Sequence, residues 1–142
     1  MKKMNCVFCE IANKETTSPR IFFEDEKVLA MLSAYQATKG HTLIVWKDHV
    51  NNVSDISEDD FIHFSRIFRK VELALLRTLN LDKSVVLKNE GIISHFHFHI
   101  YPLSKYTPWN TIRSMFDKTV WYYESVKGEE KELVHILSEI LY

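Results

Sequence analysis

Polar and apolar residues alternate most regularly in the segment 95–100, where three histidines are interleaved with two phenylalanines and one isoleucine. Successive side chains of a β-strand point to opposite faces, so this alternation predicts a strand with the three imidazoles on one face. A helix would scatter the same histidines around its circumference. The segment therefore predicts a strand with one face in the hydrophobic core and one face whose imidazoles could bind a metal or a substrate.

Four other short apolar runs predict further strands, with acidic or glycine-containing turns between neighbours. They are residues 21–24, 27–32, 42–46 and 84–89. The last of these is joined to the histidine strand around Glu90-Gly91, as in a hairpin. Together the five strands predict an antiparallel, meander-like sheet.

Helical periodicity appears in two other regions. After Ser57, three acidic residues precede a long amphipathic run that extends to about Asn80, so Ser57 is the predicted N-cap. In the tail, residues 129–142 place leucine and isoleucine on one helical stripe that would pack on the sheet or on a second subunit. One long helix packed on an antiparallel sheet predicts an α+β fold with a C-terminal helical extension over about residues 109–142.

Length and composition narrow the class of protein. A chain of 142 residues with 46% hydrophobic residues fits one domain over 1–142 with a substantial core. The net charge is −1 and no long Lys/Arg run is present, so no nucleic-acid footprint is expected. No apolar segment is long enough to span a membrane, and the N-terminus lacks an apolar signal region, so the expected location is the cytoplasm.

The histidine face admits three interpretations. As a metal site it would use two of the three histidines and import other ligands, because at roughly 3.3 Å per residue the backbones of His95 and His99 lie about 13 Å apart. As a nucleophilic site it would use the central His97, with neighbours that fix its tautomer and stabilise developing charge on a phosphate. The third interpretation, plain decoration of an exposed strand face, fits three histidines in register least well.

Cys6 and Cys9 are the only cysteines and are separated by two residues. In a reducing compartment such a pair is more typical of a metal half-site or a redox motif than of a structural disulfide. A zinc ion would need two more ligands, for which histidines are the remaining plausible donors. Two buried or free thiols are the alternative.

The segment 95–102 resembles the signature of the histidine triad (HIT) family, three histidines separated by single hydrophobic residues. Other parts of the chain are similar to that family in the same order: residues 6–11, 28–32, 40–45 and 47–49. The resemblance covers about residues 4–103, which would form the HIT-like core of the single domain. It is strengthened by the conjunction of the triad with the Gly-His-Thr-Leu-Ile-Val segment and the cysteine pair.

The resemblance implies a hydrolase or transferase that acts on a nucleoside phosphoramidate, an adenylylated compound or a dinucleoside polyphosphate. His97 would attack the α-phosphorus and form a nucleotidyl-histidine that water then cleaves. His99 and His41 would orient His97 and bind phosphate oxygens, and His95 completes the catalytic candidates. This chemistry needs no metal.

The resemblance is to the branch of the family that has an N-terminal cysteine pair. It therefore also implies a structural zinc held by Cys6, Cys9, His49 and His95. In that case His95 would support the strand and would not be available for catalysis. A homodimer is implied as well, with a nucleotide or nucleotide conjugate as ligand.

Some positions depart from the family pattern. Ser33 lies eight residues before His41, where relatives have an Asp that accepts both ribose hydroxyls, and a serine offers no pair of charged acceptor oxygens. Asn89 and Ser94 are the candidate phosphate donors, although the stretch between them is shorter than in many relatives. These departures motivate an alternative, a nucleotide-binding or sensing module with little turnover. A metal-dependent enzyme using two of the triad histidines is the third hypothesis.

Overall fold

The structure, a computed structural model, describes residues 5–88, 93–116 and 127–142, with the side chains of 127 and 128 excepted. The described strands are β1 (Ile21–Glu24), β2 (Val28–Leu32), β3 (Thr42–Trp46), β4 (Lys83–Lys88) and β5 (His97–Leu103). The described helices are α1 (Val7–Ala12), α2 (Glu58–Leu79), α3 (Trp109–Ser114) and α4 (Lys127–Leu141), with a short 3-10 turn over Val53–Asp55. The segment Glu90-Gly91, the expected hairpin turn, lies outside the described residues.

The strands form one antiparallel sheet in the order β1-β2-β3-β5-β4. The α+β fold and the antiparallel sheet predicted from the sequence are confirmed. Strand β5 lies between β3 and β4, because the chain crosses over through α2 to the far edge before it returns. In this register Val45 lies opposite His97 and Leu43 lies opposite His99.

The long helix α2 begins and ends where the sequence predicts. The Asp60 backbone N–H donates to Ser57 Oγ at 3.1 Å, which satisfies one of the amides at the helix start. Asn80 adopts the left-handed conformation at the other end, with a φ of 53°. One face of the helix is buried against the sheet, where the Phe64 ring lies 4.7 Å from the Phe96 ring.

The C-terminal helix α4 covers the same side of the molecule. Its Leu133, Leu137 and Leu141 are buried in the core cluster that α2 and the sheet share. The Glu24 backbone N–H donates to the Tyr142 hydroxyl at 2.7 Å, which fixes the end of the helix on β1. Part of the predicted extension, residues 117–126, lies outside the described residues.

The opposite face of the sheet carries the short helix α1. Phe8, Cys9 and Ile11 of this helix are buried against β2 and β3 in a second apolar cluster. The histidines point to this side, so α2 stabilises the sheet from behind while α1 closes over the site. Among the described residues, no helix combines the length and apolar character needed to cross a membrane.

Candidate functional site

His95 does not lie on the histidine strand, and this corrects the expectation that all three histidines share it. Strand β5 begins at His97, and His95 lies in the bend before it, with its backbone N–H donating to the Ile93 carbonyl at 3.0 Å. The Phe96 N–H donates to the Val50 carbonyl at 2.7 Å instead of joining the ladder. This irregular backbone sends the His95 ring into a different cluster from those of His97 and His99.

The first cluster brings together the four residues predicted as metal ligands. Cys6, Cys9, His49 and His95 place one sulfur or nitrogen atom each within 4.8 Å of all the others. Nδ1 of His95 lies 3.3 Å from Cys6 Sγ and 3.6 Å from Cys9 Sγ. Nδ1 of His49 lies 3.4 Å from Cys9 Sγ and 3.1 Å from Nδ1 of His95.

These separations fit a tetrahedral zinc site. Zinc–sulfur bonds of about 2.3 Å and zinc–nitrogen bonds of about 2.0–2.1 Å at tetrahedral angles imply sulfur–nitrogen distances of about 3.5 Å and nitrogen–nitrogen distances of about 3.4 Å. Cys6, Cys9 and His95 are buried, so the donors are enclosed by protein. Two thiols and two imidazoles are the donor set that a structural zinc prefers.

The ring of His95 is held in the form that binds a metal. Its Nε2–H donates to the Trp46 carbonyl at 2.6 Å, which leaves Nδ1 as the nitrogen that faces the cysteines. Burial lowers the pKa of His95 to about 4, although the hydrogen bond to Trp46 acts in the opposite direction. His95 is therefore a neutral imidazole with its lone pair directed at the two sulfurs.

The second cluster is a chain of hydrogen bonds that links three histidines. Nδ1–H of His97 donates to the His95 carbonyl, and Nε2 of His97 lies 3.1 Å from Nε2 of His99. Nδ1 of His99 then lies 2.8 Å from Nε2 of His41. At the far end the Ala37 backbone N–H donates to Nδ1 of His41 at 3.2 Å.

The two ends of this chain fix every tautomer within it. A carbonyl can only accept, so His97 in its neutral form carries its proton on Nδ1 and has a lone pair on Nε2. The neighbouring Nε2 of His99 must then be a donor, and its Nδ1 must accept from His41. At the other end the Ala37 amide N–H can only donate, so Nδ1 of His41 accepts and the proton of His41 lies on Nε2. His41 therefore donates to His99, in agreement with the direction set by the carbonyl.

His41 is held neutral within this chain. Burial, and next the charge that His99 would carry, lower the pKa of His41 to about 3, against an opposing backbone hydrogen bond at Tyr35. Its ring stacks on the Tyr101 ring at 4.2 Å.

The loop that presents the Ala37 amide is closed by Gln36, whose Oε1 accepts from the Gly40 N–H at 2.9 Å. Gly40 has a φ of 86°, and a Cβ at that position would collide with Leu79.

A cavity of about 470 Å³ opens beside this chain. His97, His99 and His41 line it together with Ser33 and apolar side chains from α1, β2 and β3. The apolar residues that these three elements contribute are Val7, Phe8, Ile11, Met31 and Leu43. An apolar wall that faces a group of polar side chains is the usual form of a small-molecule site.

The predicted nucleotide-binding residues have three different outcomes. Ser33 lines the cavity, where its hydroxyl donates to the Tyr35 carbonyl at 3.1 Å and accepts from the Tyr35 N–H at 3.3 Å. Ser94 is exposed, donates to Asn51 Oδ1 at 3.0 Å, and is not among the described residues that line the cavity. Asn89 lies outside the described residues.

Among the cavity residues that were not predicted from the sequence are Tyr101, Phe8 and Arg20. Tyr101 lies two positions after His99, so extending the histidine alternation by one step would have placed it on the same face. Phe8 contacts the rings of both His95 and His97 edge-on, at 5.6 and 4.8 Å. Arg20 also lines the cavity, and a single arginine in a loop gives no sequence signal of such a position.

Comparison with known proteins identifies the family of this fold and site. The sequence model of the HIT domain matches residues 14–106, so the chain belongs to the HIT family. An uncharacterized HIT-like protein of Methanocaldococcus jannaschii is 34% identical over 102 residues, which is 68% of this chain and 78% of that protein. The protein hit of Bacillus subtilis is 33% identical over 103 residues, which is 69% of this chain and 70% of that protein.

Solved structures share the whole architecture. A hypothetical histidine triad nucleotide-binding protein from Sulfolobus tokodaii is 29% identical, with a TM-score of 0.76 and coverage of 96% of this chain and 91% of its own. A zinc-bound histidine triad family protein from Mycobacterium smegmatis is 23% identical, with a TM-score of 0.73 and coverage of 97% and 94%. The second likeness is one of fold alone.

Proposed function

We propose that this protein binds a nucleotide conjugate in the cavity and cleaves it at the α-phosphorus through a nucleotidyl-histidine on His97. The observation that carries the proposal is the chain of hydrogen bonds from Ala37 to the His95 carbonyl, which puts the His97 lone pair on Nε2. A neutral imidazole with an unprotonated nitrogen is the form that acts as a nucleophile. The Sulfolobus tokodaii relative, described as a nucleotide-binding protein, supports the choice of ligand.

The proposed reaction has two displacements. Nε2 of His97 attacks the α-phosphorus, a phosphorus–nitrogen bond forms, and the leaving group departs with its bonding electron pair and takes a proton from water. Water then attacks the same phosphorus, the phosphorus–nitrogen bond breaks, and the water proton passes to solvent as the nucleoside monophosphate leaves. Splitting one difficult displacement into two easier ones is the benefit of covalent catalysis.

His99 and His41 have supporting roles in this proposal. In the resting protein the Nε2–H of His99 donates to Nε2 of His97, so attack requires this N–H to turn from the nitrogen to a phosphoryl oxygen as the substrate arrives. A donor placed where negative charge develops lowers the barrier. His41 keeps His99 in the tautomer that has this N–H, because its own Nδ1 is engaged by the Ala37 amide.

The cavity provides a place for the rest of the nucleotide. The apolar side chains of α1 and β2, including Phe8 and Met31, form a surface against which a flat base can pack. Ser33 lies at the end of β2, where the resemblance predicts the contact with the sugar. Because Ser33 has no carboxylate, the contacts with the sugar must differ from those of typical relatives.

We propose further that Cys6, Cys9, His49 and His95 hold a structural zinc ion. The proposal rests on the distances among the four donors and on the Trp46 hydrogen bond that frees Nδ1 of His95. A bound zinc would tie α1 to the segment before β5 and would fix the carbonyl of His95 that orients His97. Four protein ligands leave no open position for substrate, so the ion takes no part in the displacement.

Rapid-quench kinetics with adenosine 5′-phosphoramidate labelled at phosphorus tests the reaction. We expect a burst of protein-bound label whose peptide map places the nucleotidyl group on His97, followed by steady release of AMP. Label on another residue would overturn the assignment of the nucleophile. Tight binding of AMP without turnover of phosphoramidates, adenylylated compounds or dinucleoside polyphosphates would instead favour the nucleotide-sensing module. The absence of a carboxylate at Ser33 is the observation that favours this second candidate.

Metal analysis tests the zinc proposal independently of activity. We expect about one zinc per chain in the purified protein and a loss of that zinc in His49→Ala. The matched control is His135→Ala, because His135 is exposed on α4 and pairs with Glu139 at 3.4 Å. Full zinc content in His49→Ala would contradict the proposed ligand set.

A further inference from the structure

Arg20 introduces a cation into the wall of the cavity. The residue is half-buried just before β1 and lines the same cavity as His97 and Ser33. Its Nε atom is buried and has no hydrogen-bond partner among the described residues. Buried donors are almost always paired in folded proteins, so an unpaired guanidinium nitrogen beside a cavity indicates a partner that arrives from outside.

The charge of the cavity indicates what kind of partner this is. No aspartate or glutamate is among the described residues that line the cavity, and Arg20 is its one permanently charged member. A partly desolvated cation without a counter-charge is costly, and that cost is recovered when an anion binds. A guanidinium matches phosphate and carboxylate groups with two parallel hydrogen bonds.

Arg20 lies near Ser33, the position that the family resemblance assigns to the contact with the sugar. The Leu32 N–H donates to the Arg20 carbonyl at 3.0 Å, so Arg20 lies across from the residue that precedes Ser33. Strand β1 is separated from β5 by β2 and β3, so three strand spacings of about 4.8 Å put roughly 14 Å between the backbones of β1 and β5. Arg20 and His97 both line the cavity, and this separation of their strands leaves room for a sugar between them.

We propose that Arg20 and Ser33 form an anion subsite at the sugar end of the cavity, and that the substrate carries a second phosphate on the 2′- or 3′-hydroxyl of its ribose. The inference rests on the proposed function and names the substrate class for the same site. The aspartate that the family resemblance predicts at position 33 would repel such a group and would pair with Arg20. Ser33 leaves the guanidinium available and offers a small hydroxyl beside it.

Binding calorimetry tests this subsite without any need for turnover. AMP is compared with adenosine 2′,5′-bisphosphate and adenosine 3′,5′-bisphosphate, on the full chain and on Arg20→Gln, Ser33→Asp and Arg69→Gln. Arg69 is exposed on α2, on the other side of the sheet, and serves as the matched control. We expect at least one bisphosphate to bind roughly tenfold or more tightly than AMP in the natural protein and in Arg69→Gln.

The variants are expected to remove this preference in two ways. Arg20→Gln lowers bisphosphate affinity roughly tenfold or more and lowers AMP affinity less, since only the bisphosphate uses the guanidinium. Ser33→Asp neutralises Arg20 and repels the second phosphate, so the preference is reversed in favour of AMP.

Other outcomes would overturn the inference. If AMP binds and neither bisphosphate binds more tightly, the subsite is wrong while the proposed function stands. If neither AMP nor the bisphosphates bind, both fail. If Arg20→Gln lowers the affinity for AMP as much as that for the bisphosphate, Arg20 contacts a group that both ligands share, and the assignment to a second phosphate is wrong.

Discussion

His95 and His97 are two positions apart and chemically identical, yet they belong to different centres. His95 faces Cys6 and Cys9 in a closed cluster, whereas His97 faces a cavity and is joined to His99. The difference arises in the backbone, because β5 starts at His97 and His95 lies in the preceding bend. The orientation and tautomer of each imidazole are then fixed by a backbone carbonyl that accepts a hydrogen bond from it.

These two carbonyls select opposite tautomers. Trp46 accepts from Nε2 of His95 and leaves Nδ1 for the sulfurs, whereas the carbonyl of His95 accepts from Nδ1 of His97 and leaves Nε2 as the acceptor that faces His99 at the cavity. A single acceptor on one side of an imidazole decides which nitrogen can act. The role of His95 or His97 therefore depends on which of its ring nitrogens donates to a backbone carbonyl.

The largest difference between His95 and His97 is expected in turnover. We expect His97→Ala to lower kcat at least about 10³-fold, because the covalent route is lost, while zinc content stays near one per chain. His95→Ala keeps the backbone carbonyl that orients His97, so we expect it to lose zinc and to keep far more activity per folded molecule. Steady-state kinetics and metal analysis on both variants check this pair, with His135→Ala as the control. If both variants lose turnover equally, the two histidines do not have separate roles in metal binding and in catalysis.

Removal of zinc should affect stability more than chemistry. Stripping the ion with a chelator should cost about 3 kcal/mol of folding free energy, which corresponds to a fall in Tm of roughly 6–12 °C for a chain of this size. Thermal unfolding followed by circular dichroism measures the change, and added zinc should restore it. If the stripped protein unfolds at the same temperature, the cluster is not a structural metal site.

The smallest effect concerns Phe8, which lies between the two centres. Phe8→Leu removes the edge contacts with His95 and His97 and should cost about 1 kcal/mol of stability, with a few-fold loss of turnover. The matched control is Phe61→Leu, a partly buried phenylalanine of α2 on the other side of the sheet. Similar stability loss with unchanged turnover is expected there. A change in Phe61→Leu turnover as large as that in Phe8→Leu would remove the special role of the Phe8 ring.

Much of the fold could be predicted because local patterns determine it. The alternation around His97 predicts β5, and Ser57 followed by acidic residues predicts the start of α2. The point where β5 begins could not be predicted, since it depends on hydrogen bonds from Phe96 to Val50 and from Trp46 to Phe96, which join distant parts of the chain. The same tertiary contacts place Ser94 at the surface beside Asn51.

The candidate site was predictable only in part. The approach of His49 to the cysteine pair followed from family resemblance, and its geometry required the structure. Arg20 could not be found from sequence, because its position in the cavity depends on the pairing of β1 with β2. The homodimer, the cytoplasmic location, the single-domain boundaries and the absence of nucleic-acid binding stay predictions.

The tautomers of His95 and His97 in the resting protein decide whether the two backbone carbonyls assign the rings to different roles. Long-range ¹H–¹⁵N correlation spectra of the uniformly ¹⁵N-labelled protein, assigned with His95→Ala and His97→Ala, distinguish a protonated from an unprotonated ring nitrogen. We expect a proton on Nε2 of His95 and on Nδ1 of His97, with Nδ1 of His95 and Nε2 of His97 unprotonated. The same tautomer at both positions, or a proton on Nε2 of His97, would contradict this assignment.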